Sequence, residues 1–170
     1  MRTIAAQWFE VKIKYDKTQD DGSQKSTSEL YVVDALSFTE AEETITEEMS
    51  AYISGSFDIT DIKRAAYKEI AFSEDTAADR WFKAKLQYIT IDEKTEKEKK
   101  TNVNFLIHAA TFPGAVNNIQ EMMKGSMTDY VIASVAETQI MDVFEHAAKV
   151  KGNIQEEMPE YLQGEVPVEE

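Results

Sequence analysis

The chain carries near its start the string Trp8-Phe9-Glu10-Val11-Lys12-Ile13-Lys14-Tyr15, and a similar string returns as Trp81-Phe82-Lys83-Ala84-Lys85-Leu86-Gln87-Tyr88. Apolar residues recur at every second position, which is the period of a strand with one buried face. The predicted buried residues are Phe9, Val11, Ile13 and Tyr15 in the first string and Phe82, Ala84, Leu86 and Tyr88 in the second. We expect these residues to form one core that the two copies share.

The segments that follow the two strings have the same order. A polar turn leads to a second predicted strand, at residues 30–33 in the first copy and 103–107 in the second. A predicted helix follows in each copy, and after it comes an extended region, at residues 57–72 in the first copy and 130–144 in the second. In the first of these regions the alternation of apolar and polar residues breaks near 63–66, which indicates a bulge or bend. The sequence therefore predicts two copies of a β-β-α-β unit.

Start and stop residues bound the two predicted helices. Ser37 with Glu40 three residues later matches a capping box, and Thr39 with Glu42 is the competing register. The second helix is predicted to begin at Thr111, with Pro113 in its first turn, and the two helices are predicted to end at Gly55 and Gly125. An apolar stripe along each helix indicates that it packs on a sheet.

These patterns predict an α+β fold built by tandem duplication, with pseudo-twofold symmetry and helices on one side of mostly antiparallel sheet. The predicted units are residues 1–73 and 74–151, followed by an acidic tail at 152–170 that is disordered unless bound. The tail holds six glutamates and neither lysine nor arginine. Two functions are open for it, competition with DNA or imitation of a phosphate backbone, beside a plain solubilising role. One continuous sheet, a closed barrel and two packed sheets all remain compatible with the patterns.

Composition narrows the class of protein. The 170 residues carry a net charge of −14, which argues against tight general binding to DNA. The absence of cysteine excludes disulfides, thiolate metal sites and a cysteine nucleophile. No apolar run approaches the length of a membrane span, and the first residues lack the apolar region of a signal peptide. We therefore expect a cytoplasmic protein that does not interact with membranes.

One surface pattern points to a ligand. On the face opposite the predicted core, each string carries a tryptophan and two lysines. The candidate nucleic-acid-binding residues are Trp8, Lys12, Lys14, Trp81, Lys83 and Lys85. Aromatic rings interleaved with basic side chains hold single-stranded nucleic acid, because the rings stack on the nucleobases and the ammonium groups contact the phosphates. The alternative is a solvated face whose lysines protect the sheet and whose tryptophans cover the edge of the core.

Residues for catalysis are lacking. His108 and His146 have no second histidine, cysteine or aspartate at a metal-ligand spacing. The chain has no phosphate-binding glycine loop and no nucleophile motif. We therefore predict that the protein is not an enzyme and uses no catalytic residue, metal or cofactor.

Several strings together resemble a known family. They are residues 8–12, 34–42, 52–55, 78–82 and 129–138, the last being Asp-Tyr-Val-Ile-Ala-Ser-Val-Ala-Glu-Thr. They are similar to domain-of-unknown-function family 4494 of Bacteroides-type bacteria and their phages, over roughly residues 5–150. The resemblance implies a cytoplasmic accessory protein of a phage or mobile element, and no site residue is carried over from it.

The predicted function is accordingly a non-catalytic binding module of a phage or mobile-element accessory system. Its predicted partner is single-stranded nucleic acid, held on the tryptophan and lysine faces, or a protein. The alternative is a structural or regulatory interaction protein with no nucleic-acid role, either a homodimer or a protein that binds a basic partner through its acidic surface.

Overall fold

The computed structural model describes residues 7–145. The predicted acidic tail at 152–170 and His146 lie outside these residues. The first half contains the strands β1 (Gln7–Thr18) and β2 (Gln24–Ala35), the helix α1 (Phe38–Ser50), and the strands β3 (Asp58–Ala65) and β4 (Tyr67–Ala71). The second half contains β5 (Arg80–Ile91), β6 (Glu98–Ala109), α2 (Phe112–Met123), β7 (Asp129–Glu137) and β8 (Ile140–Phe144).

The strands form two four-stranded sheets, one in the order β3-β1-β2-β8 and the other in the order β4-β6-β5-β7. In each sheet the two hairpin strands are antiparallel, and the strand that follows the helix pairs antiparallel with the first hairpin strand. The strand at the other edge pairs parallel with the second hairpin strand. The predicted α+β class is confirmed, with two mostly antiparallel sheets rather than one sheet or a barrel.

Each sheet receives one edge strand from the other half of the chain. β8 pairs with β2 in the first sheet, and β4 pairs with β6 in the second. The predicted extended regions are therefore each two strands, because the chain breaks after Ala65 and after Glu137 and crosses to the other sheet. At the second break, the backbone N–H and the hydroxyl of Thr138 both donate to the Trp81 carbonyl, each at 2.8 Å.

The helices begin where their caps predict. Ser37 Oγ accepts a hydrogen bond from the Glu40 N–H at 3.1 Å, so the Ser37 register is the one observed. Thr111 Oγ1 accepts likewise from the Gly114 N–H at 3.1 Å. The prediction that Gly55 ends α1 is wrong, since the helix ends at Ser50. The N–H groups of residues 52 and 53 close its last turn by bonding the Met49 carbonyl at 3.0 and 2.9 Å.

Among residues 7–145, apolar side chains form three clusters rather than one shared core. Phe9, Val11 and Ile13 pack with α1 in the first cluster, and Phe82, Ala84 and Leu86 pack with α2 in the second. The predicted core residues are thus confirmed as buried, with Tyr15 and Tyr88 at the cluster margins, but a core shared by both strings is wrong. Residues of both sheets meet in a third cluster on the opposite faces: Trp8, Val32, Tyr67, Ile70, Trp81, Leu106, Ile140 and Val143.

Candidate lysine face

Both tryptophans of the predicted binding face lie inside the molecule. Trp8 is 7% exposed and Trp81 is 2% exposed, because the third cluster closes over them. The Trp81 ring is stacked on the His108 ring at 4.4 Å between centroids and meets the Phe72 ring edge-on at 5.4 Å. Neither indole is positioned to stack on a nucleic-acid base, so the tryptophans are core residues, as the alternative interpretation of this face expected.

All four predicted lysines are exposed, but the two pairs have different neighbours. Lys83 and Lys85 lie on β5 and line a shallow depression of about 470 Å³ on the second sheet. Its other lining residues are Asn102 and Asn104 of β6 and Ser134 and Ala136 of β7. No carboxylate lines this depression within residues 7–145. We call Lys83, Lys85, Asn102, Asn104 and Ser134 the lysine face.

On the first sheet, carboxylates stand beside the corresponding lysines. Lys12 pairs across the strands with Asp61, and Lys14 pairs with Asp58. Side chains at paired positions lie on the same face of a sheet, so each of these lysines shares its face with an aspartate on the neighbouring strand. The structure thus brings Lys83 and Lys85 together in a depression that no carboxylate of residues 7–145 lines, and it places Lys12 and Lys14 on a face of mixed charge.

The lysine face continues into the junction between the two sheets. Tyr67 Oη donates to Glu10 Oε1 at 2.7 Å, and Lys63 Nζ lies 3.5 Å from Glu10 Oε2. Lys83 Nζ lies 5.9 Å from the centroid of the Tyr67 ring, and a cavity of about 280 Å³ opens beside these groups. Burial, and then the hydrogen bond to Glu10, raise the pKa of Tyr67 well above its ordinary value.

Alkaline pH is expected to destabilise the fold through Tyr67. An unfolded tyrosine releases its proton near pH 10.0, whereas folded Tyr67 holds it to higher pH. Its contribution is complete below pH 10.0 and is lost as the pH rises through the folded pKa, at most about 1.4 kcal/mol per pH unit. Urea unfolding of the wild type and Tyr67→Phe from pH 8 to 11 measures this. Equal alkaline slopes in the two proteins would contradict it.

Sequence reasoning missed Asn102, Asn104 and Ser134, although one signal was present. Two asparagines separated by one residue share a face with period two, beside the predicted lysines. Which face they share with Lys83 depends on the β5–β6 register, in which Lys85 pairs with Asn104 and Gln87 with Asn102. From sequence alone, a polar strand face is interpreted as a solvent-exposed surface, because its cross-strand neighbours are not known.

Other kinds of site find little support in the described residues. His108 Nδ1 accepts a hydrogen bond from the Ser73 N–H at 3.4 Å, and its ring packs on Trp81. Within residues 7–145, no group of three histidine, cysteine, aspartate or glutamate side chains is arranged to hold a metal ion. In the same part of the chain, no helix is both long enough and apolar enough to cross a bilayer.

The chain matches a protein-family model. The family model described as "Domain of unknown function (DUF4494)" matches residues 7–146. That range includes both halves, with every strand and helix described above. No curated protein matches the chain.

Proposed function

Because the chain belongs to the family described as "Domain of unknown function (DUF4494)", whose description assigns no activity, we propose a function from the geometry. We propose that the protein is a non-catalytic binding module that holds single-stranded nucleic acid on the lysine face. The observation that carries the proposal is the depression of about 470 Å³ in which Lys83 and Lys85 stand among amides and a hydroxyl.

The chemistry of the lysine face suits a polyanion with exposed polar edges. Ammonium groups of Lys83 and Lys85 are placed to meet phosphates, and the side-chain amides of Asn102 and Asn104 both donate and accept hydrogen bonds. Since the tryptophans are buried, base stacking on them does not contribute. We therefore expect weak binding with little sequence preference, and a log K against log salt slope of about −1.4 if two phosphates are neutralised.

Replacing both lysines of the face should remove most of this binding. We expect Lys83→Ala with Lys85→Ala to weaken binding of a labelled oligothymidylate about tenfold at low salt, because two phosphate contacts are lost. Fluorescence anisotropy at several salt concentrations gives both the affinity and the salt slope.

The matched control is Lys12→Ala with Lys14→Ala, which removes the same charge from the first string, where Lys12 stands at the position of Lys85 and Lys14 at the position of Gln87. These lysines stand opposite Asp61 and Asp58, so we expect less than a threefold effect. Equal losses in the two double variants would show that binding follows net charge. No salt-sensitive binding at micromolar protein would reject the nucleic-acid function.

A second candidate function is the interaction protein without a nucleic-acid role. It is favoured by the net charge of −14 and by exposed apolar residues at both helix starts, where Phe38 is 45% and Phe112 is 51% exposed. Light scattering after size exclusion tests the homodimer version. Capture of basic proteins from a host lysate tests the other version, and a monomer that captures nothing would reject both.

We propose as well that the halves are copies of one unit. Support comes from the shared element order, the matched hairpin registers and the reciprocal edge strands. Superposition of residues 7–71 on 80–144 tests this, and helices that fail to coincide would oppose it. The proposed setting, a cytoplasmic phage or mobile-element accessory protein, rests on the resemblance, and cell fractionation would reject the location if the protein were absent from the cytoplasm.

A further inference from the structure

A cavity of about 300 Å³ opens on the first sheet, between the end of α1 and the edge strand β8. Its aromatic lining consists of Tyr15, Tyr31, Tyr52 and Phe144, and its carboxylates are Glu29 and Asp142. The cavity lies on the helix side of the first sheet, whereas the lysine face lies on the opposite side of the second sheet. Aromatic faces together with carboxylates are the surroundings that a desolvated organic cation prefers.

Two tyrosines orient one of the carboxylates. Tyr15 Oη donates to Glu29 Oε1 at 2.9 Å, and Tyr31 Oη donates to Glu29 Oε2 at 2.7 Å. Burial raises the pKa of both phenols, and the neighbouring Glu29 raises it further, so the phenols remain donors. Phenol donors position a carboxylate without neutralising it, and each oxygen retains acceptor capacity. No lysine or arginine lines the cavity, in the part of the chain described.

The second sheet has a lysine ammonium at the corresponding place. Tyr88 closes the second string as Tyr15 closes the first, and Lys68 Nζ lies 5.5 Å from the centroid of the Tyr88 ring. Lys68 is the extra residue of the bulge in β4, because Tyr67 pairs with Asn104 and Glu69 with Phe105.

β8 has its bulge at the same place. Ile140 pairs with Leu30 and Asp142 with Tyr31, which leaves Met141 as the extra residue. Met141 lines the first cavity, as Lys68 covers Tyr88 on the second sheet. The place on the first sheet therefore has the aromatic ring and an additional carboxylate, Glu29, where the second sheet has Val103, but it has methionine in place of the lysine.

We propose that this cavity binds a lysine side chain presented by a basic segment of a partner protein. The ammonium would lie against the Tyr15 ring and bond to Glu29, with Asp142 exposed at the rim. Met49 and Ile53 line the cavity as well and provide apolar contact for the methylene stem. The net charge of −14 favours a basic partner, and the site is independent of the lysine face.

Titration of the full chain with a fluorescein-labelled peptide of alternating glycine and lysine tests this. The same peptide with every lysine acetylated keeps the length but lacks the charge, and it should bind at least about tenfold more weakly. Glu29→Gln should weaken binding of the lysine peptide about tenfold, because the oriented carboxylate is lost. Met141→Lys should abolish binding, since it supplies the ammonium internally, as Lys68 does.

Glu93→Gln is the matched control, because it removes one carboxylate from the exposed β5–β6 turn. It should change the affinity less than about twofold. Thermal unfolding of each variant identifies any loss of fold, and Met141→Lys decides the matter if Glu29→Gln does not fold. Equal effects of Glu29→Gln and Glu93→Gln, equal binding of the two peptides, or unchanged binding by Met141→Lys would overturn the proposal.

Discussion

Trp81→Ala is expected to lower the free energy of unfolding by about 3–5 kcal/mol, the usual cost of truncating a fully buried tryptophan. The side chain is 2% exposed and contacts rings from two further segments, at His108 and Phe72. Its removal leaves a cavity where the two sheets meet, and neither sheet can collapse into it without losing its strand pairing. Urea unfolding followed by circular dichroism measures the change.

The neighbouring substitution Lys83→Ala is the control for Trp81→Ala. Lys83 is exposed on the same strand face, and its loss should change stability by less than about 0.5 kcal/mol. The two variants separate a core role from a ligand role. A Trp81→Ala protein of nearly unchanged stability that no longer bound oligonucleotide would show that the indole is a binding surface after all.

The second large effect is expected on separating the halves. Fragments 1–73 and 74–170 should each lack a cooperative unfolding transition as monomers, and an equimolar mixture should recover it. β4 and β8 each have their sheet in the other fragment, and the third cluster draws residues from both. Exposing one such side chain to water costs about 1.5–3 kcal/mol, so the cost of exposing several exceeds the unfolding free energy of a typical domain, about 5–15 kcal/mol.

Circular dichroism, with light scattering after size exclusion, measures the fragments alone and mixed. The control is the full chain with a protease site in the β4–β5 loop, which should stay folded after cleavage because the contacts hold both parts. Cooperative unfolding of monomeric 1–73 would contradict the interdependence. It would also support the boundary at 73 as one between independent units.

Much of the secondary structure was predictable because its signals are local. The alternation around Val11 and Ala84 identifies strands with one face toward a helix, and Ser37 and Thr111 mark the helix starts. The burial of the second face of the hairpin strands also has a signal in the sequence, which the interpretation from alternating residues did not include. Residues 30–33 and 105–107 are continuous apolar runs, which is typical of strands covered on both faces.

The candidate sites were less predictable, because they depend on neighbours distant in sequence. The lysines of the two strings look alike, yet Lys85 pairs with Asn104 and Ser134 whereas Lys12 pairs with Asp61 across β1 and β3. Nothing near Glu29 in the sequence shows that Tyr15 donates to it or that β8 closes the cavity. The burial of Trp8 and Trp81 was not predictable for the same reason.

The sequence by itself determined the hairpin strands, the helix starts and the repeated order of these elements, because period and capping act within a few residues. Only the tertiary structure decided which face of each string is open. The exchange of β4 and β8 brings their buried side chains into the third cluster with Trp8 and Trp81, so the tryptophans are buried and the lysines beyond them stay exposed. Pairing between residues far apart in the chain sets that arrangement, and a period of two carries no information about the partner strand.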